Sequence, residues 1–226
     1  YSTHPSKSKR LNALKIGNNK AGISSGQQKE YLVNDSTMSA EHYFNKGMEK
    51  YKLKDYYGGI AEFNKLIELQ PDAAWAYYYR GVFKVQLKDR IEAILDFSIA
   101  IELSPDNDMA YYDRGRQKID AKDYLGAIED FNSALKNRPN FASAFANRGI
   151  ANRQLKNYYS AISDFNMSIK LDPDYASTYN NRAITKSDLG DHNGAILDYN
   201  TAIKLKPDFN DAYENRGDSR RKLEDY

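Results

Sequence analysis

Five of the six prolines in this sequence, Pro71, Pro105, Pro139, Pro173 and Pro207, follow one another at intervals of 34 residues. The same step joins Gly47, Gly81, Gly115, Gly149, Ala183 and Gly217. It also joins Gly59, Ala93, Ala127, Ala161 and Ala195, and again Phe63, Phe97, Phe131, Phe165 and Tyr199. A chain with this period builds one supersecondary unit over and over and buries its apolar faces by stacking the copies. Five complete units result, 40–73, 74–107, 108–141, 142–175 and 176–209, and residues 210–226 begin a sixth.

Each unit holds two helical patterns. In 142–175, Phe145, Arg148, Gly149 and Asn152 recur at helix-face spacing, and so do Ala161, Ile162, Phe165, Ser168 and Ile169. Between the patterns lie Lys54-Asp55-Tyr56, Lys122-Asp123-Tyr124 and their sisters, where Asp or Asn accepts from the free amides that open the second helix. Pro-Asp or Pro-Asn closes the unit. The expectation is that the second helix stops before Pro and that Asp72, Asp106, Asn140, Asp174 or Asp208 starts the next one. Small residues such as Gly149 and Ala161 allow two antiparallel helices to approach, with Phe165 filling the space beside them.

With these columns the sequence resembles the tetratricopeptide-repeat family over residues 40–226. The resemblance implies an all-α, right-handed superhelical solenoid of helix-turn-helix repeats. Departures are few: Gly59 and Leu66 replace alanines of the pattern in the first unit, Ser168 in the fourth, and Ala183 replaces glycine in the fifth. Gly58 and Gly59 each cost roughly 1 kcal/mol relative to Ala inside a helix, so the first unit is expected to be the softest. Residues 1–38 lack the repeat and carry six basic residues against two acidic ones, a net +4 that leaves −2 for the remainder. They read as a basic, low-complexity leader or linker with no domain of its own.

A chain of 226 residues with net charge +2 has no overall field for collecting nucleic acid. Its apolar runs are far shorter than the roughly 20 residues a membrane span needs, so no membrane insertion is expected. The absence of cysteine excludes disulfides, thiolate zinc sites and a cysteine nucleophile. His4, His42 and His192 have no second ligand at metal spacing and read as surface residues. No phosphate-binding glycine loop is present, and neither catalysis nor a cofactor is expected. The compartment stays open, with the cytoplasm slightly favoured and any upstream signal or anchor out of view. Lys46, Arg80, Arg114, Arg148, Arg182 and Arg216 form a basic column, but Glu62, Asp96, Asp130, Asp164 and Asp198 recur with the same period. The expected outcome is an ion pair inside each unit, such as Arg148 with Asp164, rather than a phosphate ladder.

By the family resemblance, the first helices line the concave wall, where such solenoids bind extended protein segments. The wall would carry Phe44, Asn45 and Met48 in the first unit, Trp75, Tyr78 and Tyr79 in the second, and Met109 and Tyr112 in the third. Further along it carries Asn147, Asn181 and Asn215, flanked by residues such as Ser143, Ala146 and Asn180. Asn45, Asn147, Asn181 and Asn215 share one position and resemble an asparagine ladder of the family that holds peptide backbone, interrupted here by Tyr79 and Asp113. The other reading is that these amides bond within their own helix turn. The Lys/Asn pattern by which chaperone adaptors of the family clamp a C-terminal carboxylate is absent. The function that follows is a protein-interaction scaffold or adaptor with a peptide-binding groove. The alternatives are a targeting or regulatory domain of a larger enzyme or sensor, or a module that self-associates as a homo-oligomer. An apolar partner segment is expected to dock on the aromatic end, with the chain's own Tyr31-Leu32-Val33 as a candidate in cis.

Overall fold

The computed structural model describes residues 38–224. The leader, apart from Met38, and the Tyr31-Leu32-Val33 candidate lie outside the described residues. The chain divides into Tyr1–His42 and Tyr43–Tyr226. Within the first part, the Ser39 hydroxyl accepts from the His42 amide. Packing is described for the second part.

The described residues form eleven helices and no strand: α1 Ala40–Lys52, α2 Tyr56–Leu69, α3 Ala74–Gln86, α4 Arg90–Leu103, α5 Asp108–Asp120, α6 Tyr124–Asn137, α7 Ala142–Gln154, α8 Tyr158–Leu171, α9 Ala176–Asp188, α10 His192–Leu205 and α11 Asn210–Glu224. Each unit is a first helix of 13 residues and a second of 14. Helix α11 is the first helix of the sixth unit.

The turn inside each unit is set by two adjacent residues. Lys54, Lys88, Lys122 and Lys156 adopt left-handed backbone with φ between 58° and 63°, and Gly190 takes the same place at φ 85°. Asp55, Asp89, Asp123 and Asp191 then cap the second helix by accepting from the amides of Gly58, Glu92, Gly126 and Gly194. Asn157 makes no such bond. A left-handed lysine costs about 1–2 kcal/mol through its Cβ, part of which glycine forfeits as chain entropy. Lys122→Gly is therefore expected to raise the urea midpoint by the equivalent of about 0.5–1 kcal/mol, and Gly190→Lys to lower it by a similar amount.

The turn between units corrects one expectation. The second helices do end two residues ahead of proline, with the preceding residue turned out of the helical region at φ −132° to −141° and ψ 78° to 92°. However, the residue after proline does not cap the next helix, because Pro and its successor are both spent on the turn. The cap falls one residue later, at Ala73, Asn107, Phe141 and Tyr175, and of these only Asn107 accepts a side-chain bond, from the Ala110 amide at 3.0 Å. Asp106 accepts from Ser104 instead.

The two helices of a unit meet where glycine faces phenylalanine. A Cβ on Gly47, Gly81, Gly115 or Gly149 would lie 2.7–2.9 Å from the ring of Phe63, Phe97, Phe131 or Phe165. These rings are completely buried. The fifth unit solves the same contact with Ala183 and Tyr199.

The arginine column does more than was expected of it. Arg80, Arg114, Arg148 and Arg182 each grip the aspartate of their own unit through Nε and Nη2, with the shortest contacts at 2.6 Å in all four. The free Nη1 of each reaches back to the second helix of the previous unit, at Asn64, Ser98, Asn132 and Asn166, and Arg216 does the same to Asn200. Each guanidinium also lies 5.2–5.7 Å from the centroid of an aromatic ring three residues earlier, from Tyr77 to Tyr213. One planar fork thus fixes both the hairpin and the stacking of units. Lys84, Lys118 and Lys186 add a second cation to the same aspartates at 2.8–2.9 Å, and Asn152 takes that place beside Asp164. In the first unit the pattern lapses: Glu62 leaves Oε2 buried without a hydrogen bond, and Lys50 pairs with Asp55.

His192 is not a surface residue. It is 9% exposed, with Nδ1 3.2 Å from the Ser187 hydroxyl, because the first turn of α10 tucks against the end of α9.

Candidate interaction face

Side-chain bonds pass directly between first helices of neighbouring units, so these helices crowd together and form one wall. Tyr78 on α3 donates to Asp113 on α5 at 3.0 Å. Asn147 on α7 donates to the Tyr112 hydroxyl at 3.2 Å. Arg153 on α7 pairs with Asp188 on α9 at 2.9 Å.

The aromatic end of this wall is largely the lid of the core. The rings of Phe44, Tyr78 and Tyr112 sit 6.2, 5.8 and 6.0 Å from Phe63, Phe97 and Phe131 of their own units. Tyr79 stacks on Phe63 at 5.9 Å, and Tyr112 also packs on Phe141 at 4.6 Å. All four are half-buried, as are Met48 and Met109, the latter packed beside the Phe131 cluster. Trp75 is the most open of the set at 39%, standing edge-on to Phe44 at 5.4 Å.

The asparagine position behaves differently from unit to unit, and the residue 35 places earlier decides how. Where that residue is tyrosine, the polar group opposite is engaged: Asp113 by Tyr78, and Asn147 by Tyr112. Asn147 also donates to the Ser143 carbonyl at 2.8 Å, the bond within its own helix turn that the sequence allowed. Where it is Ala146 or Asn180, no phenol is supplied. The side-chain amides of Asn181 and Asn215 accordingly make no hydrogen bond among the described residues; both residues are half-buried, while Asn45 is exposed. Asn180 itself is 6% exposed, and its Oδ1 is buried without a partner. The sequence set it on the wall beside Asn181 without marking it as a binding residue; its signal was an amide in a column otherwise opened by Phe44, Tyr78 and Tyr112.

Burial pushes the Tyr78 and Tyr112 phenols up, helped at Tyr78 by the neighbouring Asp113 carboxylate. Desolvation also raises the Asp113 carboxyl above its ordinary value, against the Tyr78 hydroxyl and Arg116, which favour the anion. With the folded value above the unfolded one, the stability tied to the protonated carboxyl is complete below the unfolded pKa and is lost as pH rises through the folded pKa. Asp113→Asn keeps an acceptor for Tyr78. It is expected to raise the thermal midpoint at about pH 7 and to leave it nearly unchanged at about pH 3, which paired melts of parent and variant would check.

Among the described residues no group of three or more His, Asp or Glu is placed to hold a metal ion, and no helix is long and apolar enough to cross a membrane.

Tetratricopeptide-repeat family profiles match residues 40–73, 112–176 and 185–223. No curated protein sequence matches significantly. Solved structures that match include tetratricopeptide-repeat solenoids. A structure of MamA is 18% identical, superposes with a TM-score of 0.69, and matches over 74% of this chain and 92% of its own. YrrB, described as a TPR protein with an unusual peptide-binding site, is 22% identical with a TM-score of 0.70 over 84% of this chain and 97% of its own. A tetratricopeptide-repeat protein from Parabacteroides merdae is 19% identical with a TM-score of 0.73, over 81% and 73%. The 34-residue hairpins, their glycine-to-aromatic contacts and these matches together place the chain in the tetratricopeptide-repeat family, as an all-α, right-handed superhelical solenoid.

Proposed function

We propose that this solenoid is a protein-binding scaffold that holds an extended segment of its partner along the wall of first helices. The observation that carries the reading is the set of uncommitted amides at one end of that wall. The side-chain amides of Asn181 and Asn215 make no hydrogen bond among the described residues and are only half-buried. Each can donate to and accept from a peptide backbone laid along the wall. Trp75, open at the other end, offers an apolar anchor. YrrB, as a TPR protein with a peptide-binding site, is a relative of the kind this reading requires.

The test is to select peptides from a displayed random library on the parent protein and to measure the best by calorimetry. Asn181→Ala with Asn215→Ala is expected to weaken binding about tenfold, two hydrogen bonds at roughly 0.5–1.5 kcal/mol each. Alanine is the better helix former at both places, so helical content should hold. Trp75→Ala should reduce affinity for peptides with an apolar residue at one end. Unchanged affinity in the double asparagine variant would remove these amides as the site.

A further inference from the structure

The second helices carry a periodic feature that the first-helix wall does not use. Tyr57, Ile91, Leu125 and Tyr159 hold one position of the 34-residue period, the second residue of α2, α4, α6 and α8. They are 76%, 74%, 67% and 80% exposed. Scattered apolar residues on a surface need no explanation; four in register, on four consecutive rigid helices, form a stripe. Leu95, one turn after Ile91, widens it at 51% exposure. In the fifth unit the position is Asn193, which ends the stripe.

We infer that this stripe is a two-fold self-association surface through which two copies of the chain pair. Area supports a second copy as the occupant. At roughly 150–250 Å² for an aromatic side chain, the two tyrosines leave about 300 Å² open. Ile91 and Leu125 add roughly 100–150 Å² more at the usual transfer energy per unit area. With Leu95 and Leu53, which is 68% exposed, a symmetric pair reaches about 1,000 Å² in total, the lower bound for a specific interface. The order of residues suits a two-fold axis as well. Read in either direction the stripe is Tyr, an aliphatic pair, Tyr, so an antiparallel copy sets ring against ring at both ends and Ile91 against Leu125 between them. Charge speaks for a protein surface over an anionic membrane. Lys54, Lys88, Lys122 and Lys156 run beside the stripe, but Asp55, Asp89 and Asp123 follow the first three and only Lys156 is followed by a neutral residue, Asn157, leaving a rim of mixed sign. Because the stripe lies on the second helices, pairing leaves the first-helix wall of each copy to its own ligand, and the dimer is a bivalent scaffold whose two grooves gain from effective concentration.

The experiment is sedimentation velocity on the chain from about 1 to 200 µM, with a dissociation constant expected on the order of 10 µM. The weight-average mass should climb toward twice that of the monomer. Ile91→Glu with Leu125→Glu should weaken association at least tenfold, and Tyr57→Ser with Tyr159→Ser should do so independently, both with unchanged circular dichroism. Trp75→Ala should leave association intact. A parent that stays monomeric throughout, or either double variant associating as tightly as the parent, overturns the proposal. So does loss of association in Trp75→Ala, which would move the contact to the first helices. Binding of a monomeric parent to phosphatidylserine vesicles that the Glu variant abolishes would likewise overturn it and assign the stripe to lipid.

Discussion

Arg80→Ala is expected to lower the unfolding free energy by about 3 kcal/mol, seen as a fall in the denaturant midpoint with an unchanged slope. Arg80 is 7% exposed and Asp96 1%, so removing the guanidinium strands a buried carboxylate. Lys84, 2.9 Å from Asp96, keeps one cation beside it, which holds the loss at the lower end of the 3–5 kcal/mol usual for breaking a buried pair. The same deletion frees the Asn64 carbonyl and uncovers the Tyr77 ring, so the first and second units lose their polar link as well. Replacing Asp96 by alanine in the Arg80→Ala background should cost far less than the sum of the single losses, because no unpaired charge remains. Additive losses would mean that the pair contributes nothing through its own contact. Asn64→Ala alone is expected to cost about 1 kcal/mol, one hydrogen bond; it reports on stacking between units and leaves the Arg80 to Asp96 contact in place.

The period made the hairpins legible from the sequence, because helix, turn and close contact each repeat with one fixed residue type. The Arg and Asp columns could be matched for the same reason: both members recur, and antiparallel geometry inside a unit brings them together. The third partner of each arginine was not legible. Asn64, Ser98, Asn132, Asn166 and Asn200 share one position of the period, but their contact with the arginine of the following unit depends on how one unit rotates onto the next, which no local pattern encodes. The cap after proline was misplaced by one residue, since Asp is a good cap by type, while the turn geometry decides which residue is available. On the candidate face, Phe44, Tyr78 and Tyr112 stood out as aromatic, but a helix position on the border of the core does not tell how much of a large ring packs inward. The division of the asparagines into engaged and free follows from which unit supplies a tyrosine 35 residues earlier. That rule needed the coordinates to be noticed.

Gly59→Ala is expected to destabilise the protein by about 1–3 kcal/mol, the cost of overpacking a filled core. Helix propensity alone gives the opposite sign, a gain of roughly 1 kcal/mol, because Gly59 lies inside α2 and its sister positions are alanine. The difference is Phe83. A Cβ on Gly59 would lie 2.1 Å from its Cε1 and 2.6 Å from its Cδ1. The ring has no room to withdraw, being fully buried with Tyr51, Phe63 and Tyr56 at 5.2, 5.3 and 6.4 Å. In later units the place of Phe83 is taken by Gln117, Ala151, Thr185 and Ser219, and there Ala93, Ala127, Ala161 and Ala195 fit. The glycine that looked like a soft spot is thus one half of a size exchange across the first unit boundary. Phe83→Ala by itself should cost about 3–5 kcal/mol through the cavity it leaves. In that background Gly59→Ala should turn neutral or stabilising, since the clash is gone and the propensity term and part of the cavity favour the methyl group. Thermal melts of the four proteins decide it: a higher midpoint for Gly59→Ala in the parent would show that the ring yields and that backbone entropy, rather than packing against Phe83, governs this position.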